Sequence, residues 1–298
     1  MLSPVRRIDL SKSKTCGQNY NSGAMHKPPG KGMNCPICDS TVREVFRATI
    51  LRSHEGVYEY CQECGFLFTP EPNWLGEAYS DAIAQTDTGL IIRNNTIARR
   101  LASVLYCLGK ERGRGRYLDV AGGYGTLTRL MRDYGFNFFW SDKYCNNLFA
   151  RGFEYKDVSG SFDAVTAIEV LEHLEDPIGF IQHSLGLAKC NTFIFTTALF
   201  NGTPPDPDNW WYYSFETGQH ISFFQQRTLQ TIGEKIGLRF TSAGGLHVLS
   251  KAPVNRYFLR ICSSPLSNLI ANVAQWRLGS RTGKDHEILV NHLRNRDV

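Results

Sequence analysis

Four cysteines near the start of the chain have the spacing of a metal site. The pairs lie in "CPIC" and "CQEC", and the whole pattern is C-x2-C-x22-C-x2-C, formed by Cys35, Cys38, Cys61 and Cys64. Two such pairs offer four thiolates to a tetrahedral ion, and zinc is the usual one. Because four sulfur ligands leave no open coordination position, we predict a structural zinc site and not a catalytic one.

A second stretch, "RYLDVAGGYGTLTRL" at 116–130, could hold a small ligand. An apolar run and an aspartate lead into a turn with three glycines, and a helical pattern follows. In parallel sheets, ligands bind at the carboxyl ends of strands, often at the first strand–turn–helix unit. The dinucleotide fingerprint G-x-G-x-x-G fits poorly, because Thr128 occupies its last glycine position. The spacing D-x-G-x-G-x-G fits better, with Ala121 in place of the first glycine.

Strand and helix patterns alternate around this turn. The predicted strands are 116–120, 137–141, 153–157, 163–168, 192–199, 239–243 and 246–251. The predicted helices are 90–108, 124–134, 144–151, 177–187 and 226–236. Such an alternation predicts an α/β fold with a mainly parallel sheet covered by helices on both faces. An apolar helical pattern at 254–277, interrupted by Pro265, extends beyond the last strand.

Composition and charge limit the classes of partner. The hydrophobic fraction of 42% is that of a globular protein, and no run has the length of a membrane span. The first residues lack the apolar core of a secretory signal, so we expect a cytoplasmic location. The net charge is +5 over 1–34, −5 over 35–250 and +5 over 251–298. A nucleic-acid enzyme usually has a basic working face, so this distribution speaks against such a partner.

The glycine turn resembles motif I of class I methyltransferases that use S-adenosylmethionine (SAM). Asp142 follows the second strand, "SFDAVTAIEVLEHLEDP" resembles the family's FDxVxxxEVLEHLxDP block, and "GQHISFFQQRTLQTIGEKIGL" resembles its late EHxxFFxxxTLxxLLxxxGF block. These blocks occur in the family's order. The resemblance implies the Rossmann-like, mainly parallel seven-stranded sheet of that class, with SAM as the cofactor.

The resemblance also assigns roles to residues of this chain. Asp119 would hold the amino-acid end of SAM through the turn or a water molecule, and Asp142 would accept hydrogen bonds from the ribose hydroxyls. Glu169, Glu172 and His173 would line the mouth of the pocket. The predicted cofactor-binding residues are Asp119, Ala121, Gly122, Gly123, Gly125, Asp142 and Glu169.

The second cysteine pair opens "CQECGFLFTPEPNWLGEAYSD", which resembles the end of zinc ribbons in bacterial glycan and natural-product pathway enzymes. Such ribbons precede a methyltransferase domain. We therefore divide the chain into four parts. These are a disordered leader (1–32), a zinc-ribbon module (33–80), a SAM-binding methyltransferase domain (81–252) and a basic helical C-terminal extension (253–298).

Methyl transfer requires an aligned acceptor and, for a hydroxyl acceptor, a base. The predicted catalytic residues are His220 and His173, and Glu172 and Tyr213 are further candidates for the base. His220 follows a proline-rich loop that contains five aromatic residues between 210 and 215. We interpret this loop as a lid over the substrate.

These features predict a SAM-dependent methyltransferase that acts on an O or N atom of a small molecule or glycan precursor. Three alternatives stay open. The first is C-methylation of a nucleotide sugar, and the second is RNA methylation with the zinc ribbon as a docking module. The third is a non-enzymatic zinc-ribbon interaction protein on a degenerate SAM-binding fold.

Overall fold

Two β-sheets form the framework of the protein. A computed structural model describes residues 34–79, 87–109, 112 and 114–295, so the predicted leader lies outside the described residues. In chain order the strands are β1 (Arg43–Ile50), β2 (His54–Tyr60), β3 (Leu67–Phe68), β4 (Arg116–Val120), β5 (Asn137–Ser141), β6 (Ala164–Ile168), β7 (Thr192–Thr196), β8 (Ser222–Phe223), β9 (Arg239–Ala243) and β10 (Leu246–Ser250). The helices are α1 (Leu75–Ala78), α2 (Leu90–Leu108), α3 (Thr126–Asp133), α4 (Pro177–Ala188), α5 (Gln226–Lys235), α6 (Arg256–Cys262), α7 (Ser267–Leu278) and α8 (Thr282–Arg294).

The larger sheet has the strand order β5–β4–β6–β7–β10–β9. Its first four strands are parallel, and β10 runs antiparallel to both β7 and β9. The carboxyl ends of β4, β5 and β6 therefore lie along one edge, and each leads directly into a predicted site segment. The predicted α/β fold with a mainly parallel, Rossmann-like sheet is confirmed.

This sheet has six strands in the part of the chain that the structure describes, and not the predicted seven. The predicted strand at 153–157 contributes one bridge, from Glu154 to Trp140, and then a short 3-10 turn. The Glu154 carboxylate accepts hydrogen bonds from Gly152 N and Asn147 Nδ2, both at 2.8 Å. These local bonds hold the chain in a turn and compete with a strand ladder.

The helix predictions are right except at 144–151. α2 has its predicted bounds, and the described residues 144–151 form bends and turns instead of a helix. Leu148 N and Phe149 N both donate to Tyr124 O at 3.0 Å. Asp142 Oδ1 accepts from Tyr144 N and Cys145 N, as a helix N-cap would. No helix follows, because the N–H groups of Leu148 and Phe149 bond to Tyr124 O and that of Ala150 bonds to Asn147 Oδ1, instead of to carbonyl groups one turn earlier.

The smaller sheet has the order β1–β2–β3–β8 and is antiparallel throughout. Its first three strands come from the cysteine-bearing segment, which is the predicted zinc-ribbon module (33–80). The fourth strand, β8, follows His220 in the sequence. Leu67 pairs with Phe223, and Phe68 pairs with Ser222. An aromatic cluster packs on this sheet and includes Phe46, Tyr58, Tyr213, Phe215 and Phe223. The predicted zinc-ribbon module is thus completed by a strand from the predicted methyltransferase domain.

Helices α6, α7 and α8 form the C-terminal part of the described chain, where the sequence predicted a helical extension. α6 and α7 both contact α2, and Pro265 lies in the link between them. α8 is attached to α3 by a buried ion pair, in which Arg132 donates to Asp285 through two nitrogens at 2.7 and 2.6 Å. Among the described helices, none is both long enough and apolar enough to cross a membrane.

Candidate active site and candidate zinc site

Four cysteine thiols meet beside the smaller sheet. Their Sγ atoms lie within 4.8 Å of one another. The Sγ–Sγ distance is 3.5 Å for Cys35–Cys64 and 3.4 Å for Cys38–Cys61. Tetrahedral zinc with Zn–S bonds of about 2.3 Å needs sulfur atoms about 3.8 Å apart. The four predicted metal ligands are therefore brought together in a geometry that fits a zinc ion.

The backbone folds back after each cysteine pair. Asp39 and Gly65, which follow the pairs, have φ angles of 68° and 76°. A Cβ on Gly65 would lie 2.5 Å from Gln225 Oε1, so glycine is required there by space as well as by φ. Thr228 Oγ1 donates to Cys64 O at 2.8 Å, which attaches the second pair to α5.

The glycine turn after β4 leaves open space beside its backbone. Ala121, Gly123 and Gly125 all have left-handed φ angles, of 51°, 54° and 86°. A Cβ on Gly123 would meet no atom within 4 Å, whereas one on Gly122 would lie 2.8 Å from Trp140 Cδ1. Gly122 is thus needed for packing, and Gly123 borders space in which a ligand can approach the backbone.

Asp142 lies beside this turn, directly after β5. Its Oδ2 accepts a hydrogen bond from Gly123 N at 2.9 Å. Its Oδ1 accepts from Tyr144 N at 2.7 Å and from Cys145 N at 2.8 Å. Since a carboxylate has about four acceptor sites, Asp142 can accept a further hydrogen bond from a ligand hydroxyl while it keeps these three.

Asp119 is buried within the sheet, with 2% of its surface exposed. Thr166 Oγ1 donates to Oδ1 at 2.8 Å, and Thr128 Oγ1 donates to Oδ2 at 3.1 Å. Burial raises the pKa of Asp119 to about 7, although the two hydroxyls oppose the shift. The carboxyl group ties β4 to β6 and α3, so its influence on a ligand would pass through the turn that it holds.

Glu169 follows β6 with a φ angle of 54°. Thr196 Oγ1, at the end of β7, donates to Glu169 Oε1 at 2.5 Å and accepts from Glu169 N at 3.0 Å. Burial raises the pKa of Glu169, and the nearby Glu172 raises it further. A cleft of about 300 Å³ is lined by Glu169 and Thr196 on one side and by Arg93 and Thr96 of α2 on the other.

Glu172, His173 and His220 form a compact cluster of polar groups. One carboxylate oxygen and one ring nitrogen of each histidine lie within 4.8 Å of one another, and the two imidazole centroids are 4.8 Å apart. Glu172 is fully buried, and neither carboxylate oxygen has a hydrogen-bond partner among the described residues. Such unused capacity is typical of acid–base sites, and these donor types also suit a divalent cation.

Neither His173 nor His220 has a hydrogen bond at Nε2 within the part of the chain that the structure describes. His220 Nδ1 lies 2.6 Å from Tyr212 O, and His173 Nδ1 lies 3.0 Å from Gln219 O. Because carbonyl oxygens only accept, we assign the ring proton to Nδ1 in each case, which leaves a lone pair on Nε2. Burial lowers the pKa of His173 to about 3, and the adjacent His220 contributes to this shift. His173 is therefore neutral at physiological pH.

The family to which the chain belongs follows from a match to a known domain. A family model described as a methyltransferase domain matches residues 93–243, just over half of the chain. The matched range contains the glycine turn, Asp142 and the polar cluster. The chain belongs to this methyltransferase family. The prediction of a SAM-dependent methyltransferase is thereby confirmed.

Several solved structures resemble this methyltransferase weakly, in fold alone. Magnesium protoporphyrin IX methyltransferase from Synechocystis PCC 6803, solved with bound SAM, has 14% identity and a TM-score of 0.38 over 60% of this chain and 90% of its own. CalO1, a methyltransferase in calicheamicin biosynthesis, has 13% identity and a TM-score of 0.39 over 59% of this chain and 60% of its own. An O-methyltransferase family protein from Burkholderia thailandensis has 16% identity and a TM-score of 0.37, over 61% and 68% respectively. No curated protein sequence matches the chain.

In this methyltransferase the cysteine-bearing segment holds the chain next to His220. Trp74 Nε1 donates to Gly218 O at 2.8 Å, and Gln219 Nε2 donates to Ala78 O at 2.9 Å. The strand β8, two residues beyond His220, then pairs with β3. No motif in the sequence predicted this connection between the two modules.

The aromatic loop before His220 does not form the predicted lid. Trp211 is 79% exposed, but the other four aromatic residues are buried or half-buried in the cluster on the smaller sheet: Trp210, Tyr212, Tyr213 and Phe215. The Tyr213 hydroxyl donates to Pro205 O at 2.8 Å, and burial raises its pKa far above the ordinary value. Tyr213 is therefore a packing residue and not a candidate base.

Replacing Ala121 by glycine is expected to stabilise this methyltransferase. A left-handed φ of 51° strains any residue with a Cβ, so relief of that strain should add about 0.5–1 kcal/mol to the free energy of unfolding. The matched control is Ala102→Gly in the interior of α2, which should cost about 1 kcal/mol. Thermal melts check both signs, and a lower melting temperature for Ala121→Gly would contradict the assigned strain.

Proposed function

We propose that this protein transfers the methyl group of SAM to an oxygen or nitrogen atom of a small molecule or glycan precursor. The observation that carries the proposal is the buried Glu172 carboxylate, which has no hydrogen-bond partner among the described residues and lies beside the His220 ring. Glu172 and His173 of this cluster follow β6, whereas the glycine turn follows the adjacent parallel strand β4. A base and a nucleoside site on one sheet edge are what methyl transfer to a hydroxyl or amine requires.

The residues present fit SAM. Gly123 borders open space, and Asp142 keeps acceptor capacity for a ribose hydroxyl. Glu169, which follows the adjacent strand β6, lines a cleft, where its carboxylate can face the amino-acid end. SAM, when bound, supplies an electrophilic methyl group on a sulfonium. The chain's own residues then need only align the acceptor and remove its proton, and alignment alone can supply about 7–11 kcal/mol.

His220 is the proposed base. Its Nδ1–H donates to Tyr212 O, which fixes the ring orientation and aims the Nε2 lone pair away from that carbonyl group. Nε2 would take the proton from the acceptor, and the resulting imidazolium would lie within 4.8 Å of the Glu172 carboxylate. Glu172 thus offsets the new charge, in the role that the acidic member of a triad has.

His173 is a positioning residue in this proposal. Its low pKa makes it a weak proton acceptor, although its ring packs edge-on against His220. Its Nδ1 is held by Gln219 O and lies 2.9 Å from the Tyr79 hydroxyl. Because its ring packs against that of His220, His173 contributes orientation and not proton transfer.

The Asp142→Ala variant is expected to lower the affinity for SAM at least about tenfold, equivalent to about 1.4 kcal/mol. The substitution removes the ribose acceptor and the hydrogen bond to Gly123 N. The control is Asp157→Ala, which removes an exposed loop carboxylate. Isothermal calorimetry with SAM checks the result, and equal affinities for the two variants would contradict the ribose assignment.

The acceptor class is tested by label transfer from methyl-tritiated SAM into cell extract, separated into small-molecule, glycan, RNA and protein fractions. We expect label in the small-molecule or glycan fraction, as a methyl group on oxygen or nitrogen. A carbon-bound methyl group would favour the nucleotide-sugar alternative, and label in RNA would favour the docking role of the ribbon.

We further propose that the four cysteines hold one structural zinc ion.

A further inference from the structure

The two helices α6 and α7 each expose an apolar stripe. On α6, Tyr257, Phe258 and Ile261 are exposed, and Tyr257 is 81% accessible. The opposite side of α6 is formed by Leu259 and Cys262, which are buried. At 100° per residue, the three exposed side chains fall within one face of the helix.

α7 repeats this pattern. Leu269, Val273 and Trp276 are exposed at spacings of four and three residues, and Trp276 is 76% accessible. Ala271 and Ala274 are buried on the opposite face. Since α6 and α7 both contact α2, both stripes point away from it into solvent. We call these six exposed residues of α6 and α7 the tail face.

The segment that carries the tail face has charges of one sign. Residues 251–281 contain five Lys or Arg and no Asp or Glu. Arg256, Arg260 and Arg277 are exposed, and none forms an ion pair with another described residue. Arg277 lies over the Trp276 ring at 4.9 Å, so cation and aromatic face share one surface.

This charge decides between the possible occupants of the tail face. A second copy docked by two-fold symmetry would bring two basic faces together, which costs energy. Residues 1–34 of the chain carry a net charge of +5 and would be repelled in the same way. An anionic surface is complementary, and Trp and Tyr with flanking Arg are typical of helices that lie in a membrane interface.

We propose that the tail face binds the surface of an anionic lipid membrane. The six apolar side chains enter the boundary between headgroups and acyl chains, and the arginines contact lipid phosphates. The contact is peripheral, and it brings the methyltransferase to acceptors that are held at or near that surface. None of the six residues of the tail face is assigned to the active site, so the inference does not depend on which atom is methylated.

Vesicle co-sedimentation of the full chain tests the proposal. We expect binding to phosphatidylcholine vesicles that contain phosphatidylglycerol, and little binding to phosphatidylcholine alone. Each Lys or Arg near an anionic surface strengthens partitioning about fivefold, so high salt should release the protein. Equal binding to neutral and anionic vesicles, or none to either, would overturn the proposal.

Two variants separate the tail face from nonspecific adsorption. Leu269→Ser with Trp276→Ser should weaken vesicle binding at least about tenfold. Leu293→Ser, which alters an exposed leucine of α8, should leave binding unchanged. All of these side chains are exposed, so melting temperatures should match the parent protein. A dimer that the double variant abolishes would overturn the proposal in favour of a second copy.

Discussion

The His220→Ala variant is expected to lower kcat at least about 100-fold, because general-base catalysis by a histidine typically contributes that much. SAM affinity should change less than about twofold, since His220 is not among the residues assigned to the cofactor. Label transfer from SAM measures the first quantity, and calorimetry measures the second. The effect should be largest for a hydroxyl acceptor, whose proton must leave during the reaction.

A control and a rescue experiment distinguish catalysis from structure. His183→Ala removes an exposed histidine on α4 and should leave kcat unchanged. Added imidazole should restore part of the activity of His220→Ala, because a free base can enter the space that the side chain leaves. A purely structural role would not respond to imidazole. Turnover retained by His220→Ala would contradict the assignment of the base.

The parts of the fold that could be predicted from the sequence carry their own periodicity or spacing. α2 has an uninterrupted apolar stripe, and its bounds were predicted correctly. The cysteine pairs were grouped from their spacing alone, and their sulfur atoms do meet. At 144–151 and 153–157 the prediction was wrong, because Tyr124 O, Asn147 and Glu154 bind nearby backbone or side-chain groups. Such competition does not appear in an apolar pattern.

Contacts between distant segments could not be predicted in the same way. β3 and β8 are two residues long, and nothing in either sequence identifies the other as its partner. Thr196 resembles an ordinary strand residue, yet its hydroxyl binds Glu169. A polar residue at the end of a buried strand was the one available signal. The aromatic loop was interpreted as a lid, because the sequence does not show that its aromatic rings pack against Phe46 and Tyr58 of the smaller sheet.

Removal of zinc is expected to abolish methyl transfer while SAM binding persists. Structural zinc sites stabilise small folds by on the order of 10 kcal/mol, so chelation should unfold β1–β3. The pairing of β3 with β8 and the bond from Thr228 to Cys64 O would then be lost. His220 would lose its position, whereas the glycine turn and Asp142 belong to the larger sheet. Elemental analysis before chelation should find about one zinc per chain.

The Cys61→Ser variant gives the same test without a chelator. Cys190→Ser is the matched control, because Cys190 lies outside the cluster and its thiol donates to Thr192 O. We expect Cys61→Ser to lose zinc and turnover together, and Cys190→Ser to keep both. If metal-free protein retained full turnover and its melting temperature, the ribbon could not be what positions His220. If turnover fell with SAM affinity in proportion, the damage would have reached the larger sheet. The outcome that links the zinc site to the base through β8 is a loss of zinc and turnover with SAM affinity retained.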